Sequence, residues 1–150
     1  MLAVNSIKSR SIYCLATIIF IFWMAQPATT SSLIGRTQRV SVKGVLLCET
    51  DSTKTKNTKV VLVDRDPGPD DILQSGQTNA QGEFQLSGSE RELTNIDPRL
   101  HIYHDCNDAD RDCKRHWTLR VPDKYIDGPV YDFGTINLDR ILPEESRECE

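Results

Sequence analysis

Leu100-His101-Ile102-Tyr103-His104-Asp105-Cys106, Asn107-Asp108-Ala109-Asp110-Arg111-Asp112 and Cys113-Lys114-Arg115-His116-Trp117-Thr118-Leu119-Arg120-Val121 follow one another in a single segment. Leu100, Ile102 and His104 recur with the period of a strand, as do Trp117, Leu119 and Val121, and Pro122 ends the second run. Two strands therefore flank a charged loop with a cysteine at each mouth. The cysteines can hold a metal, perform chemistry or staple the strands, and the rest of the chain bears on which.

The start of the chain bears on it first. Lys8 and Arg10 form a basic leader, Leu15 to Ala25 is apolar, and Ala28, Thr29, Thr30, Ser31 and Ser32 are small. That order is a secretory signal over 1–32, with a cut between 28 and 35. The apolar run is about half the roughly 20 residues a membrane-spanning helix needs. Without Lys8 and Arg10, 16 Lys+Arg remain against 22 Asp+Glu, a net −6. Such a charge offers no general attraction to nucleic acid or to an anionic membrane. Cys14 leaves with the leader. Cys48, Cys106, Cys113 and Cys149 remain in a single domain over 36–150. An even number in an exported chain reads as two disulfides, with three connectivities open.

Outward from the central pair, Arg39 to Cys48 and Thr58 to Asp64 are strands, the first with Val40, Val42 and Leu46 on one face. Arg65 to Asp71 is loop because of Pro67, Gly68 and Pro69. Ile72 to Thr78 and Glu83 to Leu86 are further strands about an Asn79–Gly82 turn, Ser87 to Pro98 is polar and gives no clear element, and Tyr131 to Leu138 is the last strand. Seven short strands with no helical period predict an all-β sandwich of two sheets.

The residues also resemble the nematode transthyretin-like family of secreted proteins. The likeness rests on Val42-Lys43-Gly44 with Leu47-Cys48, Asp64-Arg65-Asp66 with Gly68-Pro69-Asp70-Asp71, Thr78 with Gly82-Glu83-Phe84, and Arg91-Glu92-Leu93. It continues through Ile96-Asp97-Pro98, Ile102 to Asp108, Trp117, Pro122 to Ile126 and Gly134 to Leu138. It implies a prealbumin-like sandwich in which the two central strands are antiparallel neighbours and the first and last strands run parallel. The pairing this implies is Cys106 with Cys113 and Cys48 with Cys149.

His104, Cys106, Cys113 and His116 form a zinc-type ligand set. Export favours oxidised thiols instead, so the expectation is a stapled hairpin with two surface or edge histidines. Asp64, Asp66, Asp70 and Asp71 suggest calcium, but their spacing is not that of an EF-hand, and a solvated turn is the preferred reading. Lys54, Lys56 and Lys59 beside Lys43 make a basic patch suited to phosphate head groups or sulfated sugars.

No catalytic residue, metal or cofactor is assigned. The expected function is a secreted, non-enzymatic binding protein that presents its loops to an extracellular, cell-surface, lipid or small-molecule partner, as a monomer or weak dimer that neither spans a membrane nor binds nucleic acid. Two alternatives come from the fold. One is a hydrolase of the 5-hydroxyisourate type, which needs a C-terminal Tyr-Arg-Gly-Ser where this chain ends Arg147-Glu148-Cys149-Glu150. The other is a carrier of a small apolar ligand.

Overall fold

Period-two alternation places the strands, and a computed structural model describes residues 35–109 and 111–149. The leader and Cys14 lie outside the described residues. β1 spans Arg36–Leu47 and buries Gln38, Val40, Val42 and Leu46 while Arg39, Lys43 and Leu47 face out. It starts three residues earlier than Arg39 because the polar Arg36–Gln38 pairs with the end of β4. β2 (Lys59–Asp64), β3 (Asp71–Gln77), β4 (Glu83–Glu92), β5 (Pro98–His104), β6 (Lys114–Arg120), β7 (Tyr131–Asn137) and a short β8 (Ser146–Glu148) follow.

One sheet has the order β4-β1-β7 and the other β3-β2-β5-β6-β8. β1 and β7 are parallel, and β5 and β6 antiparallel, as the resemblance implies. Apolar side chains of both sheets meet in one core: Val40, Val42, Leu46, Phe84 and Leu86 from one, and Val60, Leu62, Leu100, Ile102 and Trp117 from the other. Burial of such side chains contributes about 1.5–3 kcal/mol each. Gly82 (φ 77°) turns the chain between β3 and β4, and a Cβ there would lie 2.5 Å from the Leu46 carbonyl oxygen. Of the Ser87–Pro98 stretch, residues 87–92 form the second half of β4 and pair with the start of β1, residues 93–97 connect the sheets, and Pro98 opens β5.

The disulfide pairing differs from the expected one. Cys48 bonds Cys106, and Cys113 bonds Cys149. Had the β5–β6 ladder run one pair of inward residues further, Cys106 would face Cys113. Pairing stops at His104↔Arg115, however, and Asn107 and Ala109 take positive φ as the chain turns. Cys106, fully buried, is thereby directed into the core toward Cys48, which follows β1 on its inward face. That bond joins the two sheets. Cys113 instead continues the β6–β8 ladder, in which Lys114 faces Glu148 and the next partners are Cys113 and Cys149.

Arg115 closes this end of the sandwich. It is 2% exposed, and its five N–H donors all find acceptors. Nη1 donates to the carbonyls of Cys106 (2.9 Å) and Leu138 (3.1 Å), Nη2 to Arg140 O (2.5 Å) and Glu145 Oε2 (2.6 Å), and Nε to Glu145 Oε1 (3.1 Å). The loop tip after Cys106 is pinned as well. Asp108 is turned inward against Arg147, which also donates to Cys113 O at 2.8 Å. These hydrogen bonds hold the Asp108 carboxyl below the usual carboxylate range.

Candidate anion-binding recess

The loop between β1 and β2 is short of apolar residues, so its polar groups must be satisfied locally. Glu49 N–H (2.5 Å) and Thr50 N–H and Oγ1 (3.2 and 2.7 Å) donate to Asp139. Asp51 caps a 3-10 turn over Ser52–Thr55 by accepting from Thr53 N–H. Thr78 Oγ1 donates to Thr55 O and accepts from Thr58 N–H, and Thr58 Oγ1 donates to Lys54 O. A lysine-rich loop is thus held in one conformation from its own backbone outward.

That fixed loop forms a recess of about 170 Å³ with the β5–β6 hairpin, lined by Thr53, Lys54, Lys56, Asn57, Thr58, Tyr103, Asp105 and Lys114. Three ammonium groups stand against one carboxylate, with Lys54 Nζ 2.8 Å from Asp105 Oδ2. Lys59 adds a fourth cation, its Nζ 5.0 Å from the centre of the Tyr103 ring. Tyr103 in turn stacks on His116 at 4.6 Å, and His116 Nδ1 lies 2.9 Å from Ser146 Oγ. Lys59, Tyr103, His116 and Ser146 are successive register partners across four strands, so the recess is bordered by one row of outward side chains.

Of the four lysines read from the sequence, the structure gathers Lys54, Lys56 and Lys59. Lys43 is not with them: it sits on the three-stranded sheet, 3.3 Å from Asp132. Lys114 was missed. It follows Cys113 at the mouth of the β5–β6 hairpin, and only the fold brings it beside Asp105 and the loop lysines.

The comparisons fit this architecture. The model of the Transthyretin-like family matches residues 43–122. Transthyretin-like protein 5 of Caenorhabditis elegans is 42% identical over 127 residues, 81% of this chain and 91% of that protein. The chain belongs to the transthyretin-like family. Transthyretin-like protein 33 of the same organism is 41% identical over 120 residues, 75% of this chain and 82% of its own. Transthyretin-like protein 2 is 38% identical over 133 residues, 81% of this chain and 90% of its own.

In this transthyretin-like chain the supposed zinc ligands are used otherwise. Cys106 and Cys113 are each in a disulfide, to different partners. His104 is not a surface histidine. It is 1% exposed, lies on the inward face with Leu100 and Ile102, and meets Trp117 edge-on at 5.0 Å. Neither ring nitrogen has a hydrogen-bond partner among the described residues. Burial, with Arg115 nearby, lowers its pKa from 6.5 to about 4. A base with a depressed folded pKa contributes stability that is complete above its unfolded pKa and is lost as pH falls. Between pH 6.5 and about 4 this group is expected to cost the fold about 3 kcal/mol. In urea titrations across that window the unaltered protein is expected to lose stability relative to His104→Phe as pH falls; a difference between the two that does not change with pH would show that His104 does not cause the loss.

The acidic loop departs from a solvated turn at one residue. Asp64 is 1% exposed, and burial, with Glu92, Asp66 and Asp97 nearby, pushes its carboxyl up to about 6. Asp66 is also raised, by desolvation first and then by Asp71 and Asp70. His101 lies on the outer face, 4.7 Å from the His116 ring and 3.7 Å from Asp70.

Proposed function

We propose that this transthyretin-like protein is an extracellular, non-enzymatic binding protein that takes a phosphate- or sulfate-bearing group in the recess of Lys54, Lys56 and Lys114. The observation that carries the reading is the convergence of those three lysines on one pre-ordered concavity of an otherwise acidic chain. Because the loop is already fixed by Asp139, Thr78 and the 3-10 cap, binding costs little further ordering. Extracellular placement is supported by the leader-like N-terminus and by two disulfides in a small domain. The non-enzymatic reading is supported by how the ionisable groups are used: Arg115 and Glu145 hold each other, Arg147 holds Asp108, and His104 is sealed in the core.

The test is binding of the oxidised protein to phosphatidylcholine vesicles with and without phosphatidic acid, and to heparin. A lysine near an anionic surface contributes about 1 kcal/mol, so the triple change Lys54→Glu, Lys56→Glu and Lys114→Glu is expected to weaken binding about 100-fold or more. Asp105→Asn removes the competing carboxylate and is expected to strengthen it. Lys43→Glu, on the other sheet, is expected to leave it unchanged. Equal binding by the triple variant would refute the recess; preference for vesicles or for heparin identifies which source of the anion it takes.

A further inference from the structure

We propose that Asp64, Asp66 and Glu92 form a calcium site that ties the two sheets together at the end of the sandwich opposite the basic recess. Asp64 ends the six-residue β2 and Lys59 begins it, so the acidic and basic features occupy the two ends of one strand. Glu92 ends β4, in the other sheet. Each of the three residues brings a carboxylate oxygen within 4.8 Å of the others. Calcium takes oxygen ligands at about 2.3–2.6 Å, so a single ion can bridge a set of that span. The all-oxygen ligand set suits a hard cation, and further positions can be filled by backbone carbonyls or water.

A second observation separates this cluster from an ordinary acidic surface. Asp64 is almost wholly buried, and only its Oδ1 is occupied, accepting from Asp97 N–H at 2.7 Å. Its Oδ2 is buried with no hydrogen-bond partner among the described residues. A buried carboxylate is expensive unless it is paired or bound to a metal. Among the described residues no lysine or arginine makes an ion pair with Asp64, Asp66 or Glu92; the nearby Arg99 and Arg120 are engaged by Asp97. Thr94 donates to Glu92 Oε2 at 3.5 Å, which leaves the other oxygen of Glu92 for an ion. One divalent ion offsets two of the triad's three negative charges, supplies a partner for the buried carboxylate and joins β2 to β4. None of this depends on the lysine recess.

The experiment is calorimetric titration of the oxidised full domain, stripped with a chelator, with calcium chloride and then magnesium chloride, together with thermal melts. Calcium is expected to bind with a Kd of about 10⁻⁴–10⁻³ M, the range of extracellular modules, and more tightly than magnesium. At ten times Kd the melting temperature is expected to rise by about 5 °C. Asp64→Asn keeps the acceptor for Asp97 N–H and is expected to fold without calcium and to ignore it. Glu92→Gln and Asp66→Asn, at half-buried positions that are safer for folding, are expected to weaken calcium at least tenfold. Absence of heat and of any melting shift in the unaltered protein at about 10 mM calcium, ten times the weakest expected Kd, would overturn the proposal. So would calcium binding that Glu92→Gln leaves undiminished.

Discussion

Arg115→Met is expected to destabilise the domain by about 3–5 kcal/mol, because it leaves a partly buried carboxylate and three carbonyls without their donor. Arg115 connects the β5–β6 turn, the end of β7 and the segment leading to β8 through five hydrogen bonds. Glu145, its partner, also accepts from Trp117 Nε1 at 2.9 Å. Arg115→Lys is expected to lose nearly as much, since an ammonium cannot reproduce the planar fork. The same contacts, the Arg115 hydrogen bonds first and Trp117 after them, lower the Glu145 pKa from 4.5 to about 2. An acid with a depressed folded pKa adds stability that is present above its unfolded value and is lost as pH falls toward the folded one. The window therefore runs from pH 4.5 to about 2 and is worth about 3 kcal/mol, below the window set by His104. Urea denaturation of Arg115→Met and Glu145→Gln checks both statements: a loss under about 1 kcal/mol for Arg115→Met would place that side chain among ordinary surface pairs.

Loss of the Cys48–Cys106 bond is the second large effect. It closes a separation of 58 residues, for which the chain-entropy relation gives about 4 kcal/mol. Cys48→Ala with Cys106→Ala also removes two buried sulfurs from the core. Cys113–Cys149 closes 36 residues, and the same relation again gives about 4 kcal/mol, but its loss is expected to act locally. β8 has three residues, all exposed, and holds to β6 by a short ladder. Amide exchange in Cys113→Ala with Cys149→Ala is expected to accelerate at residues 146–148 while β1, β2 and β5 stay protected. In Cys48→Ala with Cys106→Ala it is expected to accelerate throughout. The reverse pattern would mean that the cross-sheet bond is not the principal clamp.

What the sequence made legible follows the period-two signal. β1, β5, β6 and β7 alternate, β2 reads as a short β-branched run that is buried on both faces, and the resemblance gave the antiparallel β5–β6 and parallel β1–β7 neighbours. β8 could not be read, because Ser146-Arg147-Glu148 is polar throughout and is a strand only through its neighbour β6. The disulfide expectation failed for the same reason. With β8 unseen, Cys113 had one obvious partner across the hairpin, whereas the chain leaves the ladder after His104.

Arg115 and His104 carried a signal that their chemistry obscured: both fall on the inward parity of their strands, with Trp117 and with Ile102. The basic patch was three-quarters legible, since Lys54, Lys56 and Lys59 are neighbours in sequence. Lys43 belongs to another sheet and Lys114 comes from another hairpin, which only the fold can bring in. Glu92 joins Asp64 across a gap between sheets that no local pattern encodes.

The recess depends on how this end of the molecule is cross-linked. Lys54 lies six residues after Cys48, Asp105 precedes Cys106, and Lys114 follows Cys113. Peptide mapping of the unreduced protein tests that arrangement directly, because trypsin cleaves after Arg111 and so separates Cys106 from Cys113. The expected result is one linked pair of peptides carrying Cys48 and Cys106 and a second carrying Cys113 and Cys149. Peptides joined through Cys106 and Cys113, with Cys48 bound to Cys149, would contradict the account.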